Sequence, residues 1–169
     1  MVPAEAEAVG DLRVNAYMAQ GHLAANPAYA DTLRALGQDG HGTVLVAVDE
    51  PEDADGSSGP GEKLLGGVMF EPWHPASEVA RSADEAEVRA LAVAPWAQGR
   101  GVGRALMLAV IGEAEASGVS RLLLSTRPQM KAAQHLYLSL GFIRAPGLDW
   151  SPVPGVSLLG FALPIRHPR

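Results

Sequence analysis

Residues 94–110, APWAQGRGVGRALMLAV, set glycines at positions 99, 101 and 103, place Arg100 and Val102 between them, and then turn apolar. The stretch before them, EVRALAV (87–93), reads as a strand, and the apolar run after them reads as a helix to Ser117 that Gly118 caps. A strand that turns through glycines into a helix leaves few folds open. The first N–H groups of such a helix lack partners and its dipole is positive there, so the turn is an anion site made from backbone. Glycine removes the side chains that would hold an anion away from those groups. Arg100 and Arg104 add charge, and no carboxylate within the stretch cancels it. A phosphate or pyrophosphate is the expected guest.

Two phosphate motifs fail on their residues. A P-loop ends in Gly-Lys-Ser/Thr, whereas Gly103 is followed here by Arg104 and Ala105. A dinucleotide fold wants a third glycine three residues after the second, within the first strand–helix–strand unit. Position 106 is Leu106, and the stretch lies deep in the chain.

The rest of the 169 residues reads as a single domain, 1–169, of mixed α/β class. Helices are expected over 4–19, from an Asn26-Pro27 start to Gly37, and over 129–140, where Ala133, Leu136, Tyr137 and Leu140 share a face. Strands are expected at 43–48 and 63–70 as an antiparallel hairpin, and at 87–93 with Glu87, Arg89, Leu91 and Val93 on one face. Further strands are expected at 121–126, 142–144 and 156–163, and a loop over 71–86. Residues 49–63, DEPEDADGSSGPGEK, hold six acids against one lysine and too little apolar surface to order themselves. That segment is expected to be a mobile loop, and it carries most of the net charge of −6.

Composition excludes several kinds of chemistry. There is no cysteine, so disulfides and thiolate sites are out. The five histidines are scattered without paired spacing, so no metal is expected. No basic stripe suits nucleic acid, and no apolar run approaches the ~20 residues of a membrane span. The acidic N-terminal stretch lacks a signal-peptide pattern, and a cytoplasmic protein is expected.

Gln98-x-x-Gly101-x-Gly103, preceded by Val93-x-Pro95, resembles the coenzyme A-binding signature of the GNAT N-acetyltransferase superfamily, Q/R-x-x-G-x-G/A. HLYLSLGF (135–142) resembles the family's second coenzyme-side helix, with order and spacing matching over 87–142; residues 145–160 resemble a DW-x-P-x-PG-V turn of some bacterial members. The resemblance implies the GNAT fold: a central twisted, mostly antiparallel sheet with a splayed central strand pair and flanking helices. It implies direct transfer of an acetyl group from acetyl-CoA to a primary amine of a small molecule, peptide or protein. On this resemblance the backbone of Leu91, Ala92 and Val93 holds the pantetheine arm, and an N–H near Val93 polarises the thioester carbonyl. The amides of Gln98, Gly99, Arg100, Gly101, Val102, Gly103 and Arg104 take the pyrophosphate, with Met130 and Ala133 on the coenzyme side of the later helix. Glu87 matches the general base and Tyr137 the acid that protonates the departing thiolate.

Plainer roles stand beside these. Tyr137 lies in an apolar stripe and could be core, and Arg89 could pair with Glu87 as a structural carboxylate. Met130 replaces an asparagine that many members use on the pantetheine, which leaves open an acyl-CoA-binding sensor with little turnover. Members usually begin with a strand before the first helix. Here the helix starts almost at once, so the strand is lost, supplied by a partner chain as in a homodimer, or lies upstream of this start; its loss would leave an exposed sheet edge. The acceptor site is expected in 20–41, 71–86 and 145–156, with Trp73, Trp150 and Tyr29 as an apolar wall and Glu78, Asp84 and Glu85 favouring a cationic amine.

Overall fold

Proline at its first position and a stripe through Val9, Leu12 and Ala16 start the chain as a helix, α1 (Pro3–Ala19), in the computed structural model. The model describes residues 3–24, 26–49 and 63–168. The short α2 (Tyr29–Ala35) begins later than expected. Residues 26–28 form turns instead, with Asn26 O accepting the N–H of Tyr29 and Pro27 O that of Ala30. No side chain caps α2 at its start.

Six strands follow: β1 (Thr43–Asp49), β2 (Lys63–Pro72), β3 (Glu85–Val93), β4 (Arg121–Thr126), β5 (Ile143–Arg144) and β6 (Leu159–Pro164). They form one sheet in the order β1-β2-β3-β4-β6-β5, antiparallel except where β3 meets β4. Helix α3 (Val102–Ser117) joins β3 to β4, and α4 (Lys131–Ser139) follows β4. Residues 50–62 of the acidic segment lie outside the described residues; its ends, Asp49 and Lys63, form the last rung of the β1–β2 hairpin.

The helices cover both faces of the sheet. On one face Leu106, Met107, Val110 and Ala114 of α3 pack with Val68, Phe70 and Val88, each fully buried Leu, Val or Met stabilising by about 1.5–3 kcal/mol. On the other, α1 lies over β2 and β3. The buried Arg13 of α1 donates to the carbonyls of Leu33 and Leu36, which ties α1 to the end of α2.

Strand β3 departs from simple alternation. Arg89 pairs with Met69 and Ala92 with Gly67, so Ala90 and Leu91 together stand opposite Val68. This bulge puts Ala90 at φ 52°, the single non-glycine residue at positive φ among the described residues. One inserted residue reverses which face the following side chains take. Glu87 and Arg89 therefore share a face with Ala92, while Val93 joins Val88 on the face of α3. The expected common face of Glu87, Arg89, Leu91 and Val93 is broken at the bulge.

Candidate active site

β3 and β4 are paired only between 85–87 and 121–123. β3 then runs on to Val93 and β4 to Thr126, with β4 held along its other edge by β6. The two parallel strands thus part at their C-terminal ends. The gap holds two cavities.

The larger, about 740 Å³, is lined by Leu91, Ala92 and Val93 of β3, by the glycine turn, and by α4. Gly99 and Gly101 both have φ 79°, with nothing within 4 Å of where a Cβ would stand. Gly101 is the N-cap of α3, no side chain caps the helix, and its first turn holds no acid. No side-chain cap and no first-turn acid therefore competes for the first N–H groups of the helix, as an anion cradle requires. Every residue singled out from sequence for coenzyme contact lines this cleft except Arg100. Arg100 was expected to stand unopposed, but it reaches across to Asp49, 3.3 Å away. Arg104 donates to Ser139 Oγ. Tyr137 lines the cleft from beneath, buried between Phe142 and Phe161, and burial pushes its phenol well above the ordinary 10.0.

The smaller cavity, about 100 Å³, lies further into the splay. Its floor is Glu87, which is 1% exposed. Glu87 Oε1 accepts the N–H groups of Val79 (2.5 Å) and Ala80 (2.7 Å), while Oε2 has no hydrogen-bond partner among the described residues. Arg89 does not pair with Glu87. It bridges Glu71 (3.0 Å) and Glu78 (2.6 Å), and Glu71 in turn meets His74 Nε2 at 2.6 Å. Burial, opposed by Arg89 and reinforced by Glu87 and Glu71, pushes the Glu78 carboxyl up. Tyr29 and Trp150 wall the cavity as expected, and Trp150 Nε1 donates to Ser125 Oγ. Trp73, Asp84 and Glu85 do not line it: Trp73 is 38% exposed, Asp84 bonds Ser82 and Ser120, and Glu85 pairs with Arg121.

Tyr17, His22 and Met130 line both cavities and so mark where they meet. Sequence reasoning singled out only Met130. Tyr17 and His22 come from α1 and the turn after it, about a hundred residues away, and nothing local marks them. His22 is pushed below its ordinary 6.5 by burial and by Arg127, whose Nη1 donates to the His22 carbonyl. A neutral imidazole, a buried phenol and a fixed carboxylate thus share one passage that ends on an anion cradle. That set can bind a phosphorylated carrier and move a proton beside its far end.

Comparison with known proteins agrees with this arrangement. The profile described as "Acetyltransferase (GNAT) family" matches residues 13–142. A solved GCN5-related N-acetyltransferase from Kribbella flavida is 30% identical, with TM-score 0.52 over 73% of this chain and 68% of that one. The ribosomal-protein-S18-alanine N-acetyltransferase from Escherichia coli shares the fold, with TM-score 0.66 and 23% identity over 100% of this chain and 93% of that one. The mycothiol acetyltransferase of Renibacterium salmoninarum is 45% identical over 58 residues, which cover 34% of this chain but only 17% of that protein. With the glycine cradle, the splayed strands and a family profile across 13–142, the chain belongs to the GNAT acetyltransferase family.

Proposed function

We propose that this chain transfers an acetyl group from acetyl-CoA directly to a primary amine. The observation that carries the reading is the junction at Tyr17, His22 and Met130, where the cradle-bearing cleft opens onto a cavity floored by a carboxylate. Bound acetyl-CoA would supply the activated acetyl thioester. The amides of 98–104 would hold its pyrophosphate and the backbone of 91–93 its pantetheine arm. Both segments line the cleft, and Gly99 and Gly101 leave space where a side chain would intrude.

An alkylammonium of ordinary pKa near 10.4 is about one part in a thousand neutral at physiological pH, a cost on the order of 4 kcal/mol. A proton acceptor therefore matters. Glu87 stands four residues before Leu91, about 13 Å along an extended strand, so it acts through intervening water. Its Oε1 is pinned by two N–H groups, and the side chain lines the cavity. As the N–C bond forms, the C–S bond breaks and sulfur leaves with the electron pair. Starting from the ammonium, nitrogen would give up two protons: one before attack, towards Glu87 and solvent, and a second once the N–C bond has formed. Tyr137 would protonate the departing sulfur, since burial keeps its phenol protonated at working pH, and the second nitrogen proton would return through water to the phenolate.

Thermal shift with acetyl-CoA, ATP and NAD, followed by thiol release against an amine panel, tests the reading. Stabilisation by acetyl-CoA alone and amine-dependent thiol release are expected. Stabilisation without turnover would make the chain a sensor, and no shift with any acyl-CoA would sink the proposal.

A further inference from the structure

Arg127 follows directly on β4 and lines the smaller cavity. Its Nη1 donates to the carbonyl of His22, a residue that marks the junction of the two cavities. Its Nε is buried and has no hydrogen-bond partner among the described residues. No carboxylate pairs with this guanidinium among the described residues. The contrast with other arginines is sharp: Arg89 has Glu71 and Glu78, Arg121 has Glu85, and Arg144 has Asp149. Arg13 also leaves buried nitrogens unmet, but it lines neither cavity.

A guanidinium is never neutral in a protein, and a buried donor left without an acceptor is costly. With Nη1 spent on a carbonyl, the edge formed by Nε and Nη2 remains, and that edge matches a carboxylate through two parallel bonds. Resting on the acetyl-transfer reading above, we infer that the acceptor is a free α-amino acid whose carboxylate is held by Arg127. The separation sets the class. The amine must reach the thioester at the junction, and Arg127 donates to the carbonyl of the junction residue His22, so the site for the carboxylate adjoins the site for the amine. The side chain then enters the cavity among Leu124, Trp150 and Val156, where about 100 Å³ takes a small or medium group. A peptide N-terminus has a neutral amide where this carboxylate would be, and a plain amine has nothing there.

The test uses the full chain with acetyl-CoA and follows thiol release from matched pairs: each L-amino acid against its own carboxamide and its decarboxylated amine. The carboxamide is a stringent control, because its amine deprotonates more readily. At least one free acid is expected to exceed both partners tenfold or more in kcat/KM. Arg127→Gln should bring that acid down to the level of its carboxamide while leaving the KM for acetyl-CoA unchanged, and Arg127→Lys should keep part of the preference. Carboxamides or plain amines used as well as the acids in every pair would overturn the inference, as would an Arg127→Gln loss equal for acid and carboxamide. If nothing turns over, melting of the coenzyme A-saturated protein decides. A further shift with an amino acid but not its carboxamide supports the inference, and no shift with any amino acid overturns it. A melting shift with coenzyme A alone keeps the acetyl-transfer reading in play, and its absence removes that reading instead.

Discussion

Helix α3 carries a matched pair of glycines that separates backbone strain from ligand binding. Gly101 at its N-cap has φ 79°, ψ 12°, and Gly118 at its C-cap has φ 80°, ψ 10°. A Cβ added at either position meets nothing within 4 Å. Alanine at each site therefore suffers the same left-handed penalty and no clash, about 1–2 kcal/mol. For a chain of this size that lowers Tm by roughly 2–8 °C. The ends differ in what they face, since Gly101 lines the larger cleft and Gly118 does not. A methyl group at 101 would push a bound pyrophosphate off at least one amide. A hydrogen bond to a charged group contributes about 1.5–3 kcal/mol, so affinity should fall roughly 10- to 150-fold. Melting curves of the Gly101→Ala and Gly118→Ala variants, with and without acetyl-CoA, give both quantities. Equal losses of Tm are expected without ligand, with acetyl-CoA stabilisation weakened only in Gly101→Ala. If both variants bind acetyl-CoA alike, the cradle reasoning is wrong.

Other residues give separate tests. Glu87→Gln is expected to lower kcat/KM by about 10²–10⁴ and flatten its pH profile; an unchanged profile would leave Glu87 a purely structural carboxylate. Tyr137→Phe should depress kcat more than acetyl-CoA affinity, and a change in affinity alone would mean packing. Tyr17 and Tyr137 are held protonated by burial, so the folded state keeps protons that the unfolded chain loses above 10.0. Their contribution to stability is complete below pH 10 and lost as pH rises beyond it, and alkaline unfolding should be less steep in Tyr17→Phe, checked by chemical denaturation across pH. His22 is expected to gain its proton only below 6.5, placing a charge beside Arg127 and slowing turnover; Arg127→Gln should move that acid limb of the pH–rate curve upward.

What the sequence revealed and what it concealed divide along the range of the forces. The glycine turn at 98–104 and the start of α3 were legible because glycine spacing and a helix start are local backbone chemistry. Strand β3 was placed correctly, but its face assignment failed at Ala90, since an alanine at positive φ has no sequence signature and depends on its surroundings. Arg100 found Asp49 across 51 positions, a pairing that only the β1–β2 hairpin creates. The N–H groups that hold Glu87 come from Val79 and Ala80, within a stretch legible only as loop. Tyr17 and His22 reach the junction because α1 packs across β3, a contact with no local periodicity to announce it.

Hydrogen–deuterium exchange with and without coenzyme A bears most directly on the central claim, that the glycine turn and the splayed strand together seat this coenzyme. Protection confined to amides of 91–93 and 98–104, present with coenzyme A and absent with NAD or ATP, is the expected result. Unchanged exchange across both segments, or equal protection by the nucleotides, would contradict it.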